Sequence, residues 1–408
     1  MKPLGPIPAG FAALDGELVI GGRTASDLVA EAGRTPLFVY SRERIAARVA
    51  ELRSALPRQV ALNYAVKANP FGPVLQAMAG LVDGFDIASG GELAMVTAAG
   101  IDPGRVSFAG PGKRDDELEA AIAAGVTLNL ESEGEAARAL AIAARIGVQP
   151  KLAVRVNPDF DLKGSGMKMG GGAKPFGVDA ERVPALVKQL LAAGADWRGF
   201  HIFAGSQALD ASAIAETQAQ TLALAARLAA EAGAVPPKVN LGGGLGIPYF
   251  PGDEPLDLAA VGEALGAQLE QLPAELTDTA FCIELGRYLV GESGVYLTRV
   301  VDRKVSHGEV YIVTDGGLHH QLAASGNFGT VVRRNYPVAI ASRFDAPVEE
   351  ESSVVGCLCT PLDRLADKGG FPRAEVGDLV AVFCAGAYGA SASPAMFLGQ
   401  GPAAEILV

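Results

Sequence analysis

The sequence predicts a (β/α)8 TIM-type barrel followed by a C-terminal all-β domain of Greek-key-like character. Between residues 60 and 290, short β-type runs alternate with Ala- and Leu-rich helical stretches. After about residue 290 the helical period is lost, and β-type runs separated by Gly, Asp and Pro remain. Strands separated by helices pair in parallel through right-handed crossovers, so the two halves are expected to fold differently.

Eight strands are expected in the alternating region. They are Ala61–Val66, Gly84–Ala88, Arg105–Ala109, Thr127–Leu130, Lys151–Val156, Gly199–Phe203, Val239–Leu241 and Phe281–Leu285. Helical stretches between them include Gly91–Ala99, Asp115–Ala124, Glu133–Ile146, Val183–Ala193 and Ala211–Ala232. A doubly wound sheet shows the same alternation. Eight consecutive units over a span close to the ~250 residues of a typical barrel favour the barrel.

The flanking segments complete the expected organisation. Ser41 is a candidate N-cap for a helix in which Ile45, Val49, Leu52 and Leu56 form one apolar stripe. The N-terminal segment, with a strand at Glu17–Ile20, is expected to join the β domain rather than the barrel. The expected boundaries are residues 1–35 for this segment, 36–290 for the barrel and 291–408 for the β domain.

Composition excludes several classes of function. The 408 residues include 34 basic and 46 acidic side chains, and this net charge of −12 argues against nucleic acid or an anionic membrane as a partner. Pro and Gly interrupt the N-terminus where a signal peptide needs an apolar core, and four cysteines are too few to staple a fold of this size. A cytoplasmic location is therefore expected. The four histidines show no metal-ligand spacing, so no metal is expected.

Unusual residues fall at the expected C-terminal ends of strands, where barrel enzymes place their active sites. Lys67, in NYAVKANP, ends the first strand, and partial desolvation there would lower its pKa and suit it to imine chemistry. A surface lysine that extends past the rim is the alternative.

Three further strands end in residues that suit a phosphorylated cofactor. The glycines of LGGGLGIPY let backbone N–H groups approach a phosphate, although a plain loop would also explain them. Ser206 in HIFAGSQ adds a donor, and ELGRY supplies Glu284 and Arg287, which could also form a rim salt bridge. A lysine, a phosphate cradle and a carboxylate on one barrel face predict a site for pyridoxal 5'-phosphate.

The chain resembles the fold-type III pyridoxal-phosphate-dependent decarboxylases, a group that includes the diaminopimelate, ornithine and arginine decarboxylases. Eight ordered motifs carry the resemblance: YAVKAN, FDIASGGEL, VRVNPD, HIFAGSQ, LGGGLGIPYFPGDE, ELGRY, GCLCTPLD and GAYG. The resemblance implies a homodimer with shared active sites. It also implies a decarboxylase that removes the α-carboxylate of an amino acid through a Lys67 aldimine and a quinonoid intermediate.

The resemblance also implies roles for individual residues. Glu284 matches the carboxylate that pairs with the pyridine nitrogen, where alanine racemases of the same fold have an arginine. Cys359 matches the cysteine that reaches in from the partner subunit and reprotonates Cα, although a buried structural thiol is the alternative. The residues implied in phosphate binding are Ser206, Gly243, Gly244, Arg287 and Tyr388. Asp86 and Arg155 match charged residues around the cofactor.

This sequence departs from the family pattern near the cofactor. Phe203 stands where a histidine usually stacks on the cofactor ring, and His201 fits the other histidine of the family's doubled motif. Leu285 replaces a usual proline, a minor change.

The larger departures concern the far end of the substrate. Thr360 replaces an acidic residue, and Ala323 and Asn327 stand where the family supplies an arginine and a tyrosine to diaminopimelate. Losing such a contact costs a good part of the ~1.5–3 kcal/mol of a charged hydrogen bond, so free diaminopimelate, lysine and ornithine become less favoured. Asp363, which closes the same motif as Thr360, is also expected near the substrate.

Similar departures occur in exosortase-associated decarboxylases and in decarboxylases of glutamate tethered to an acyl carrier protein. A tethered or distally uncharged substrate is therefore favoured. His319 and His320 lie where distal recognition is expected, with an exposed pair on a loop as the alternative. Diaminopimelate decarboxylation, a racemase of the same fold, and a non-catalytic regulator related to decarboxylases are the alternative functions.

Overall fold

The computed structural model describes residues 1–326 and 334–408. The chain forms two compact units. One contains Met1–Arg48, Ile247–Pro255 and Arg287–Val408, and the other contains Val49–Gly246 and Leu256–Gly286. Residues 36–48, 247–255 and 287–290, which the expected boundaries assign to the barrel, therefore belong to the first unit.

The second unit is a closed parallel barrel, as predicted. Its strands are β1 (Val60–Ala65), β2 (Gly84–Ile87), β3 (Val106–Phe108), β4 (Thr127–Leu130), β5 (Lys151–Asn157), β6 (Asp196–Ile202), β7 (Lys238–Asn240) and β8 (Ala280–Leu285). Each strand pairs with its neighbours in order, and the β8–β1 pairing closes the cylinder. The largest difference from prediction is that β6 begins at Asp196 rather than Gly199, because a bulge between Trp197 and Gly199 interrupts the strand pattern.

Seven α-helices connect these strands: α1 (Gly72–Ala79), α2 (Gly90–Ala98), α3 (Asp115–Ala124), α4 (Glu133–Ile146), α5 (Val183–Ala192), α6 (Ala211–Ala232) and α7 (Leu258–Glu270). Several of these helices have a short polar residue as their N-cap. Ser89 accepts a hydrogen bond from the Glu92 N–H, and Ser132 accepts one from the Glu135 N–H. These caps start each helix directly after a strand, which keeps the strand ends open as a rim.

A helix at Arg42–Ala55 precedes β1, as predicted. The Ser41 hydroxyl accepts a hydrogen bond from the Arg44 N–H, and Ile45, Val49 and Leu52 are buried. The predicted apolar stripe therefore faces protein.

The first unit is dominated by a mixed sheet. Its strands are Leu37–Tyr40, Gly294–Ser306, Glu309–Thr314, Val338–Ile340, Glu350–Val355, Arg364–Phe371, Leu379–Val382 and Ala404–Leu407. Gly294–Ser306 pairs with Leu37–Tyr40, Glu309–Thr314 and Leu379–Val382, so this long strand joins the two parts of the sheet. Two pairings are parallel: Glu309–Thr314 with Glu350–Val355, and Leu37–Tyr40 with Ala404–Leu407.

The N-terminal segment packs on this sheet. It forms a small antiparallel sheet of Ala12–Leu14, Glu17–Ile20 and Arg23–Thr24, followed by a helix at Ala25–Ala32. Leu18 and Leu28 are fully buried in one apolar cluster with Val295 and Phe383. Burial of this kind contributes roughly 1.5–3 kcal/mol per large side chain, so the segment is integral to the unit. Over the described residues, no helix is both long enough and apolar enough to cross a membrane.

Candidate active site

A cavity of about 200 Å³ opens at the C-terminal ends of the barrel strands. Its lining includes Ala65, Lys67, Asp86, Ile87, Ala88, Ala109, Gly110, Pro111, Arg155, Met169, Phe176, His201, Phe203 and Glu284. Six of these residues were expected at the site: Lys67, Asp86, Arg155, His201, Phe203 and Glu284. The barrel therefore brings together residues that lie more than 200 positions apart in the sequence.

Lys67 lies in a 3-10 turn, Val66–Ala68, that follows β1 directly. Its Nζ is 6.0 Å from the centroid of the Phe203 ring. The side chain is exposed, which corrects the expectation that it is partly desolvated, because the turn directs it into the open cavity rather than along the buried strand. An accessible amine beside an aromatic face suits covalent attachment of a flat carbonyl cofactor.

Glu284, near the end of β8, is buried and has two polar neighbours. His201 Nε2 lies 3.0 Å from Glu284 Oε2, and Asn240 Nδ2 donates to the same oxygen at 2.9 Å. Burial opposes ionisation of Glu284, but the charges of His201, Lys67 and Arg155 outweigh it and lower the pKa of Glu284. The site therefore holds a carboxylate ionised, with both neighbours on one oxygen.

Asp86, on β2, is a second buried carboxylate. Ser107 donates to its Oδ1, and Asn129 in turn donates to the Ser107 hydroxyl at 3.1 Å. Burial and the charge of Glu284 raise the pKa of Asp86 to about 6. Asn240, Ser107 and Asn129 were not identified as site residues from the sequence. Each is a polar residue within an apolar strand, and that pattern is the signal that could have identified them.

Glycines after β7 allow the chain to pass very close to neighbouring strands. A Cβ on Gly243 would lie 2.0 Å from the Glu284 carbonyl oxygen, and one on Gly244 would lie 2.7 Å from the Gly205 carbonyl oxygen. Gly244 also has φ +88°, which disfavours any side chain. Ser206 lies beside this turn, in the short strand Gly205–Ser206 that pairs with Met167–Lys168. The predicted phosphate loop is thus bare backbone of the kind that anions approach.

Arg287 and Tyr388, both expected to bind phosphate, lie together in the first unit. The Arg287 guanidinium carbon is 4.7 Å from the centroid of the Tyr388 ring, and Arg287 Nη1 donates to the Tyr249 hydroxyl at 2.8 Å. Burial raises the pKa of Tyr249 to about 12, so its phenol stays neutral. Tyr249 was not predicted, although it belongs to the motif LGIPY.

The loop that follows strand Glu350–Val355 carries Cys359 and Thr360. Cys359 is exposed, which excludes the alternative of a buried structural thiol. Asp363 is only 2% exposed, and its two oxygens accept hydrogen bonds from the N–H groups of Leu318 (2.7 Å) and Leu358 (2.8 Å). Within the chain, Asp363 therefore ties two loops together, whereas the sequence suggested contact with substrate.

The residues expected to contact the far end of the substrate differ in their exposure. His319 and His320 are buried, which excludes an exposed pair on a loop. His320 lies 3.1 Å from the Tyr296 hydroxyl and 3.0 Å from the Gly401 carbonyl, so both its ring nitrogens have neighbours within the fold. Ala323 is partly exposed in the 3-10 turn Leu322–Ser325, and Asn327 lies outside the described residues.

These groups fit pyridoxal 5'-phosphate. The cavity offers an accessible amine, an ionised carboxylate and an aromatic face, and the adjacent glycine turn has no room for side chains. Asp86 Oδ2 is buried and has no hydrogen-bond partner in the described part of the chain, which leaves it available to a polar group of a ligand. No cluster of side chains among the described residues could hold a metal ion.

Comparisons with known proteins agree with this chemistry. Residues 42–291 match the family model described as "Pyridoxal-dependent decarboxylase, pyridoxal binding domain". The chain is 34% identical over 384 residues to the L-glutamyl-(BtrI acyl-carrier protein) decarboxylase of Niallia circulans, covering 91% of this chain and 88% of that protein. It is also 34% identical over 404 residues to the diaminopimelate decarboxylase of Archaeoglobus fulgidus, covering 98% and 93%.

The fold has a close counterpart among solved structures. The diaminopimelate decarboxylase of M. jannaschii in complex with L-lysine superposes with a TM-score of 0.89 at 26% identity, covering 98% of this chain and 93% of that one. The chain therefore belongs to the pyridoxal-phosphate-dependent decarboxylases of fold type III and is an amino-acid decarboxylase.

Proposed function

We propose that this enzyme removes the α-carboxylate of an amino acid whose side-chain end is linked to an acyl carrier protein. The observation that carries the proposal is the lack of charge at Thr360 and Ala323, the two described positions where a free diamino acid would be gripped. Similarity to a decarboxylase of carrier-bound glutamate along 91% of the chain supports it.

The chemistry of the reacting end follows from residues at the cavity. When bound, pyridoxal phosphate supplies a protonated ring that accepts the electron pair released as the bond from Cα to the carboxylate breaks. Lys67 is the residue that would hold it covalently, and the turn at Gly243 and Gly244 would receive its phosphate. Glu284, which lines the cavity and is kept ionised, would stabilise positive charge on the ring nitrogen of the bound cofactor.

Cys359 completes the proposed reaction by returning a proton to Cα. Its thiol is exposed within this chain, so it is open to contact with a second surface. We assign that surface to a second copy of the chain, in a homodimer whose two active sites are shared. Mixing the Lys67→Ala variant with the Cys359→Ala variant tests this arrangement: activity well above that of either variant alone should appear on subunit exchange, whereas a mixture no more active than its parts would contradict it.

Under this proposal, the enzyme needs no charged side chain opposite the distal end of the substrate. A hydrogen bond to a charged group contributes about 1.5–3 kcal/mol, and a side chain esterified to a carrier presents no charge to satisfy. Because the α-carboxylate leaves, the link to the carrier has to be made through the side-chain carboxyl. Thr360 and Ala323 are compatible with such an uncharged end.

Diaminopimelate decarboxylation is the second candidate function. It is favoured by the similarity to the enzyme of Archaeoglobus fulgidus, which extends over 98% of the chain. The two candidates differ in what must lie opposite the distal end of the substrate, which is charged in diaminopimelate and uncharged in a carrier thioester.

A panel of substrates separates these candidates. Purified enzyme loaded with pyridoxal phosphate would be offered diaminopimelate, lysine, ornithine, arginine, glutamate, and glutamate loaded on an acyl carrier protein, and CO2 release would be measured. Release from the carrier-bound substrate alone is expected. Rapid release from free diaminopimelate would contradict the proposal and establish the second candidate.

A further inference from the structure

A buried network of four charged side chains lies behind one wall of the cavity. Its members are Lys113, Glu131, Glu135 and Arg155, each between 1% and 9% exposed. Taking charges out of water is costly unless each is paired and hydrogen-bonded, so four buried charges in one place need an explanation. Arg155 lines the cavity, while the other three lie behind it.

Glu131, the residue after β4, uses both carboxylate oxygens to hold three parts of that wall. Its Oε1 accepts hydrogen bonds from Arg155 Nη1 at 2.7 Å and from the Gly110 N–H at 2.5 Å. Its Oε2 accepts one from the Gly177 N–H at 2.8 Å. Gly110 lines the cavity, and Gly177 adjoins Phe176, which also lines it.

The two backbone segments that donate to Glu131 contain glycines that other residues could not easily replace. Gly177 has φ +74°, and a Cβ there would lie 2.7 Å from the Asn157 nitrogen. Gly110 has φ +131°. Residues with a side chain rarely adopt these backbone conformations. The two N–H groups therefore point at Glu131 from positions that favour glycine.

Lys113 and Glu135 hold Glu131 and the same wall from behind. Lys113 Nζ donates to Glu135 Oε1 at 2.7 Å, to the Gly110 carbonyl at 2.8 Å and to the Asn129 carbonyl at 3.0 Å. The other oxygen of Glu135 accepts a hydrogen bond from the Glu131 N–H at 3.2 Å. Lys113, Glu131 and Glu135 therefore each have at least two hydrogen-bond partners, and Arg155 pairs with Glu131, as buried charges require.

We propose that Glu131 is a positioning residue that sets Arg155, Gly110 and Phe176 as the wall of the cofactor cavity, with Lys113 and Glu135 supporting it. The orientation of Arg155 matters for the reaction because its charge helps to keep Glu284 ionised. The stacking of the Arg155 guanidinium near Phe176, at 5.1 Å from the ring centroid, places both residues on the same side of the cavity. This role rests on family membership and holds whichever amino acid is the substrate.

Glu131→Gln tests the proposal because it removes the charge and one acceptor while keeping the shape of the side chain. Glu133→Gln is the matched control, since Glu133 is 37% exposed, lies two residues away and forms a surface ion pair with Arg182. The measurements are the dissociation constant of pyridoxal phosphate, by absorbance titration of the purified protein, together with kcat, KM and the melting temperature.

The expected result for Glu131→Gln is cofactor binding weakened about tenfold or more, as loss of a charge-assisted hydrogen bond implies, with wild-type behaviour of Glu133→Gln. Because part of the effect of Glu131 is carried by Arg155, the loss of cofactor affinity should be smaller in an Arg155→Gln background than in the wild-type background. A lower melting temperature with unchanged cofactor affinity would overturn the proposal, as would independent effects of the two substitutions. If Glu131→Gln does not fold, Glu131→Asp carries the test, since the shorter carboxylate cannot reach all three donors. Wild-type cofactor affinity in that variant would then overturn it.

Discussion

The cavity in the barrel and the loop that carries Cys359 hold their functional groups in different ways. In the cavity, Glu284 and Asp86 are buried and receive hydrogen bonds from side chains on neighbouring strands. In the loop, Asp363 accepts hydrogen bonds from backbone N–H groups, and the Cys359 thiol is exposed. The barrel thus preorganises its electrostatics within one chain, whereas the loop leaves its thiol exposed within the chain.

The comparison predicts that substitutions at the cavity act on cofactor binding and that substitutions in the loop act on later steps. Lys67→Ala should reduce activity by at least about 1,000-fold and abolish the absorbance of lysine-bound cofactor, because the covalent attachment is lost. Lys163→Ala, at a 70% exposed lysine paired with Glu216, is the control and should change neither property. An unchanged cofactor spectrum in Lys67→Ala would remove Lys67 from its assigned role.

Lys113→Met should lower the free energy of unfolding by about 3–5 kcal/mol, because it leaves the buried Glu135 carboxylate without its cation. Burial alone already raises the pKa of Glu135, and Lys113 offsets that effect. Urea denaturation measures the change, with exposed Lys188→Met as control. Wild-type stability would show that the network contributes nothing to the barrel.

Cys359→Ala should reduce turnover by about 100-fold while leaving cofactor affinity intact, since a positioned proton donor contributes at least that factor. Cys357→Ala is a close control because it removes an exposed thiol two residues away. The product made in deuterated water would show whether protonation at Cα has lost its stereochemical control. Wild-type kinetics and product would contradict the role given to Cys359.

Asp363→Asn should lower the free energy of unfolding by about 1–3 kcal/mol, because an amide cannot accept both backbone hydrogen bonds. Chemical denaturation measures this loss, with exposed Asp345→Asn as control. If Asp363 contacts substrate instead, as the sequence suggested, KM would rise while stability stayed at the wild-type value.

Thr360→Glu should raise kcat/KM for free diamino acids by about tenfold, the factor that one restored charged hydrogen bond of ~1.5 kcal/mol implies. Thr360→Gln has the same length without the charge and should not do so. An equal gain in both variants would show that size rather than charge at this position controls substrate choice.

Barrel strands were predictable from the sequence because alternation of β-type and helical runs is a local signal. The same holds for Lys67 and Glu284, each of which ends an apolar strand. The helix cap at Ser41 was likewise readable from a short polar residue before an apolar stripe.

Burial of charged residues was not predictable in the same way. Lys113 and Glu135 occur in strings rich in Asp, Glu and Arg that read as a solvated surface, yet both are almost fully buried. Their burial depends on partners up to 22 residues away. His320 likewise meets the Gly401 carbonyl, 81 residues distant, which no local pattern reveals.

The proposed substrate choice depends on the lack of charge at Thr360 and Ala323, and one ratio tests it directly. The kcat/KM for glutamate held on an acyl carrier protein through its side-chain carboxyl would be measured beside that for free diaminopimelate, with the same enzyme preparation. A ratio of at least about 100 in favour of the carrier-bound substrate is expected, since a charged contact of ~1.5–3 kcal/mol is missing at each of two positions. A ratio below one would contradict it and place the enzyme among the diaminopimelate decarboxylases.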